Sequence, residues 1–141
     1  MIRAVVDTNV LIAARRSRSG ASNALLVAVD DGLLKMLISV PLFLEYEAVL
    51  SRPEHLLATG LTLQALRDAL DNIAGIAEPV RLHYLWRPQL GDIADEMVLE
   101  TAINGQADCI VTHKLRHFEP TASGFGIEVI LPAEALRRIR S

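Results

Sequence analysis

A short apolar run, Ile2-Arg3-Ala4-Val5-Val6, stops abruptly at Asp7-Thr8-Asn9, and Val10-Leu11-Ile12-Ala13-Ala14 then reads as helix. This strand–acid–helix junction constrains the fold most, because the rest of the chain repeats its alternation. Residues 36–40, 109–112 and 128–131 have the apolar, β-branched character of buried strands, and residues 80–84 form a weaker fifth candidate. Between them lie helical patterns. Residues 22–30 carry Ala24, Leu25, Ala28 and Val29 on one face and end at Asp31-Gly32. A second helix opens at Pro41, runs through Val49-Leu50 and breaks before Pro53. A third begins at Thr62, with Leu63, Leu66, Leu70 and Ile73 at helical spacing. Asp92 caps a fourth that reaches about Asn104-Gly105, and residues 133–139 form the last, after Pro132. Strands alternating with helices predict an α/β domain, a mostly parallel sheet of about five strands with helices on both faces.

The chain has 141 residues, no internal repeat and no low-complexity linker, so residues 1–141 are read as one domain. Its 51% hydrophobic content and mean hydropathy of +0.31 are high for so short a chain. A second copy covering apolar surface, as in a homodimer, accounts for that excess. A net charge of −3 excludes a general polyanion binder but leaves room for a local basic patch. The single cysteine, Cys109, cannot form an internal disulfide, which fits a reducing compartment. No stretch reaches the roughly 18 apolar residues of a membrane span. The first acid arrives at Asp7, too early for a secretory signal. The expectation is a soluble, cytoplasmic protein.

Three acids stand out, each with an ordinary explanation beside the functional one. Asp7 ends a buried strand, where open α/β sheets place their ligands, but it also suits a helix N-cap. Glu45 shares a helix face with Leu42 and Val49, whereas its neighbour Glu47 reads as solvated surface. Asp95 follows Asp92 by three residues in a capping-box-like start, and acids in a first turn also suit the helix dipole. Converging in one cleft, the three would form a site for a hard divalent cation and for phosphate chemistry. The basic loop of residues 15–21, with Arg15 and Arg16, reads either as solvated surface or as a phosphate-backbone contact near that cleft. His113 and His117, four apart, read as solvated residues of a polar loop. With one cysteine there is no zinc-ligand spacing.

In order and approximate spacing, the segments Val5-Val6-Asp7-Thr8-Asn9-Val10-Leu11, Ser39-Val40-Pro41-Leu42-Phe43-Leu44-Glu45-Tyr46, Asp95-Glu96 and Ala107-Asp108-Cys109-Ile110-Val111-Thr112-His113 resemble the PIN-domain ribonucleases. The likeness is greatest to the toxin components of toxin–antitoxin pairs and covers essentially the whole chain. It implies a sheet ordered 3-2-1-4-5 with the site at the C-terminal ends of strands 1 and 4. It further implies metal-dependent cleavage of RNA phosphodiester bonds, with Mg²⁺ or Mn²⁺ held by Asp7, Glu45 and Asp95. Asn9 and Thr112 would orient ligands or water, and Thr112 would belong to the catalytic set. A cognate antitoxin protein and a homodimer are the implied partners. The resemblance departs at one position. The family pattern has an acid or asparagine two residues after Thr112, and this chain has Lys114, a cation that cannot ligate a metal. A weakened domain that binds RNA or protein is therefore the alternative. A receiver-type phosphoacceptor would need paired acids after strand 1, and a haloacid-dehalogenase-type phosphatase would need Asp-x-Asp there. Thr8-Asn9 supplies neither.

Overall fold

The computed structural model describes residues 1–84 and 90–140. The first strand, β1 (Arg3–Val6), has Ala4, Val5 and Val6 fully buried, as expected of a central parallel strand covered on both faces. It leads into α1 (Thr8–Arg16) and α2 (Ala21–Asp30), which return the chain to β2 (Lys35–Ile38). The segment α3 (Val40–Leu50), α4 (Pro53–Thr59) and α5 (Leu63–Ile76) crosses to β3 (Glu78–Pro79). Then α6 (Ile93–Asn104) leads to β4 (Cys109–Val111), α7 (Leu115–Ser123) to β5 (Glu128–Ile130), and α8 (Pro132–Arg140) closes the chain. All the pairings among the described residues are parallel and the order is β3-β2-β1-β4-β5, the order that the family resemblance implies. No helix among the described residues is long and apolar enough to cross a membrane.

Side-chain caps mark the starts of four of the eight helices among the described residues. The Asp7 side chain accepts from Thr8 N, so α1 starts two residues before the apolar run at Val10. Ser39 accepts from Leu42 N and starts α3 at Val40, which removes Ser39 and Val40 from the strand expected over residues 36–40. Thr62 caps α5, whose Leu66, Leu70 and Ile73 face the core.

Two helices escaped the sequence reading. In α4, Pro53 sits at the first position, where a missing N–H costs nothing, so the residue that ends α3 also begins a helix. Helix α7 occupies what had looked like a polar loop, anchored by buried Phe118 and Ala122. The fifth strand is also displaced. Glu78 and Pro79 pair with Leu37 and Ile38, whereas residues 81–84 have no regular structure, and the N–H groups of His83 and Tyr84 bond instead to Asn104 Oδ1.

The sheet order reverses between β1 and β4. The backbone N–H of Asp7 extends that pairing by donating to Val111 O at 2.9 Å. Asp7 and Thr112 thus leave the ends of two adjacent strands side by side, at the switch point where open α/β sheets bind ligands.

Candidate functional site

Asp7 is 3% exposed and each of its oxygens is engaged. Oδ1 accepts from Thr8 N at 2.8 Å, and Oδ2 accepts from Thr112 Oγ1 at 2.7 Å. The Lys114 ammonium stands 3.9 Å from the same Oδ2. Burial is the largest influence on Asp7 and raises its carboxyl above the usual carboxylate range. The Thr112 hydrogen bond and the Lys114 charge oppose that rise, while the Asp95 charge adds to it.

Asp95 comes from a different element, the first turn of α6. Its N–H donates to the Asp92 side chain at 3.0 Å, which fixes where the helix begins. Only 2% of Asp95 is exposed. Lys114 Nζ donates to its Oδ1 at 2.8 Å, and His117 Nδ1 lies 2.9 Å from its Oδ2. The lysine is held in turn, because its backbone N–H donates to Thr112 Oγ1 at 3.0 Å. Burial alone would lower the affinity of Lys114 for its proton. The Asp95 hydrogen bond and the Asp7 and Asp95 charges outweigh it, so the ammonium persists above the ordinary lysine range.

The other expected site residues make no hydrogen bond or ion pair with either acid among the described residues. Glu45 is half-buried on α3 and makes no hydrogen bond or ion pair with Asp7 or Asp95. Its neighbour Tyr46 is the residue of α3 that points inward, fully buried, with its hydroxyl donating to Val6 O just before Asp7. Successive residues on a helix differ by about 100° in direction, so the chain cannot aim both at the strand end. Asn9 acts as a brace: its Oδ1 accepts the His113 N–H at 3.4 Å. Arg15 and Arg16 form the last turn of α1, which continues past the expected loop boundary. At 1.5 Å per residue, that places them about 12 Å along the helix from Asp7, away from the acid pair.

His117 was missed by the sequence reading. It lies on α7 rather than in a loop, and its spacing of three from Lys114 lets both reach Asp95. His113 is also engaged, with Nε2 3.1 Å from Ser22 Oγ. Glu96, quoted beside Asp95 in the resemblance but given no role, and Glu100, which gave no sequence signal beyond its place in an apolar helix, are both buried, at 3% and 1% exposure. Glu96 Oε1 accepts from Leu90 N at 2.6 Å and shapes the entry to α6.

A family model described as PIN domain matches residues 3–116, a span holding both acids, Thr112 and Lys114. This chain belongs to the PIN-domain family. No curated protein matches it. PIN domains are in general nucleases that use divalent metal ions, so the donor set invites a test of fit. Two carboxylates and a hydroxyl are suitable hard oxygen donors. In this PIN domain, however, the oxygens of Asp7 and Asp95 are already bound to Thr8, Thr112, Lys114 and His117. Among the described residues, moreover, no group of three or more His, Cys, Asp or Glu side chains is placed to hold an ion. Of the three carboxylates expected to converge, Asp7 and Asp95 share one ammonium, and Glu45 makes no hydrogen bond or ion pair with either. With Lys114 in this position a divalent metal does not fit.

Proposed function

We propose that this PIN domain is an endoribonuclease of low intrinsic activity, with Asp7, Asp95, Thr112 and Lys114 at its centre and Glu45 at its margin. The observation that carries this reading is the convergence of two buried carboxylates, from the end of β1 and the start of α6, at the switch point of the sheet. Buried acids are retained against the cost of desolvation when a charge beside them compensates, and such pairs concentrate at functional sites. Lys114 is the partly exposed member, its side chain 35% accessible, and is the group an RNA phosphate would meet first. Turning toward that phosphate, the ammonium would leave Asp95 and uncover the acid pair beneath. Slow turnover follows from the need to break that contact.

The finer form of the proposal is a growth-inhibiting toxin restrained by an antitoxin protein and assembled as a homodimer. The apolar excess of the chain supports the second copy, and sedimentation at micromolar concentration showing only monomer would remove it. Mg²⁺ or Mn²⁺ remains the ion class the carboxylates favour, but no step is assigned to it while Lys114 fills the position.

Incubation of the protein and of Asp7→Asn with a fluorogenic single-stranded RNA tests the central reading. Cleavage present in the parent and absent in the variant is expected. Cleavage that survives Asp7→Asn would place the activity outside this site. A second reading, a PIN domain that binds RNA without cutting it, is favoured by the near-complete burial of both acids under Lys114. RNA binding without cleavage in the parent would select it.

A further inference from the structure

We infer that the Lys114 ammonium is a built-in cation, occupying the place between Asp7 and Asp95 that a divalent ion would otherwise take. The inference rests on the PIN-domain reading only for the expectation that a cation belongs between these acids. Three observations carry it. The ammonium contacts both carboxylates, at 2.8 Å from Asp95 Oδ1 and 3.9 Å from Asp7 Oδ2, as one bridging ion would. Its position is built rather than incidental: Thr112 Oγ1 donates to Asp7 and accepts from the Lys114 backbone N–H, so one hydroxyl ties acid and lysine together. The second oxygen of Asp95 is also engaged, by His117 Nδ1 at 2.9 Å, so both oxygens of that carboxylate already hold a hydrogen bond.

A lysine is a suitable replacement for charge but not for coordination. Its single positive charge offsets part of the repulsion between two buried carboxylates, and its tetrahedral donors satisfy oxygens that would otherwise be unpaired. It cannot gather further oxygen ligands or hold water as a divalent ion does. An ion arriving from solution must displace the ammonium, and it meets a like charge as it approaches. The acid pair of this chain is therefore closed to divalent metal by its own side chain. Removing that side chain opens it.

The test is titration of the purified full chain with manganese chloride alone, followed by calorimetry and by the electron paramagnetic resonance of free Mn²⁺. Five proteins are compared: the parent, Lys114→Arg, Lys114→Ala, Lys114→Gln, and Lys114→Ala combined with Asp95→Asn. The parent and Lys114→Arg should show no tight site. Lys114→Ala should gain one site binding at least about tenfold more tightly, a change of about 1.4 kcal/mol. Combination with Asp95→Asn should abolish it. Mn²⁺ should also raise the melting temperature of Lys114→Ala and not that of the parent, since only the opened site binds the folded state. Should Lys114→Ala fail to fold, Lys114→Gln, which keeps a donor near Asp95, carries the same expectation.

The inference is overturned if the parent binds Mn²⁺ as tightly as Lys114→Ala does. It is equally overturned if neither neutral variant gains a site, or if the gained site survives Asp95→Asn. Because the readout is metal binding, an absence of RNA cleavage would defeat the nuclease proposal and leave this one standing, and the reverse also holds.

Discussion

The hydroxyl of Thr112 is the smallest group on which the acid pair depends, and replacing it with a methyl tests that dependence cleanly. Thr112→Val keeps the shape of a fully buried side chain and removes two hydrogen bonds, Oγ1–H to Asp7 Oδ2 at 2.7 Å and Lys114 N–H to Oγ1 at 3.0 Å. A bond to a charged acceptor is worth about 1.5–3 kcal/mol and a neutral one about 0.5–1.5 kcal/mol. The combined loss is about 2–4 kcal/mol at neutral pH, against a total stability of about 5–15 kcal/mol for a domain of this kind. The unfolding entropy of a chain this long is about 0.3 kcal/mol per kelvin, so the melting temperature should fall by about 7–13 °C.

The pH dependence gives the sharper criterion. Burial raises the folded-state pKa of Asp7, so protonated Asp7 stabilises the fold below the ordinary carboxylate range. That contribution is lost as pH rises through the folded value. The Thr112 bond opposes the rise; without it the folded pKa climbs further and the charged form becomes costlier. The difference between Thr112→Val and parent should therefore be smaller below the ordinary carboxylate range, where protonation of Asp7 leaves mainly the loss of the Lys114 N–H bond, and grow toward neutrality. Urea unfolding of parent, Thr112→Val and Thr112→Ser at several pH values measures it, with Thr112→Ser expected near parent. A loss independent of pH, or one below about 1 kcal/mol at neutral pH, would refute the assignment of this bond to a charged Asp7.

Other consequences concern the elements that aim the site. Tyr46→Phe leaves the Val6 carbonyl without its buried donor and should cost about 1–3 kcal/mol in urea unfolding, while Tyr46→Leu, which also loses packing, should cost more. In Gly105→Ala the new methyl would lie 2.9 Å from Val80 Cγ2 and 3.0 Å from both Leu37 Cδ1 and Thr101 O, where α6 meets the β2–β3 edge. Such overpacking should destabilise by about 1–3 kcal/mol, read as a lower denaturation midpoint. Glu45→Gln should leave unfolding within about 0.5 kcal/mol of parent, since no hydrogen-bond or ion-pair partner among the described residues holds the side chain, and yet lower RNA cleavage if the acid meets substrate. Unchanged cleavage would remove Glu45 from the site.

Much of this molecule follows from local pattern. The apolar runs around residues 3–6, 36–38, 109–111 and 128–130 are strands in the structure because each is short, β-branched and flanked by polar or turn residues. Asp7, Thr62 and Asp92 mark helix starts because each carries an oxygen that can satisfy an N–H of the first turn, whereas Ser39, which does the same, reads as strand in the sequence. The strand order was legible only through resemblance to a family, since periodicity says which face a residue occupies and nothing about which strand lies beside it.

What tertiary structure decided is a matter of direction and distance. No local rule distinguishes Glu45 from Tyr46 as the inward residue of α3; that depends on how α3 settles against the end of β1, where the Tyr46 hydroxyl meets Val6 O. His117 looked solvated because nothing near it in sequence needs it, whereas Asp95, twenty-two positions away, does. Lys114 was flagged as a departure from the family pattern, but its meaning lies in space. Only the fold brings the ends of β1 and β4 and the first turn of α6 together, so that one ammonium reaches carboxylates at positions 7 and 95. Short-range propensities set where elements begin and end; the pairing of buried charges is a long-range property, fixed when the packed core leaves each acid only the partners that the fold delivers.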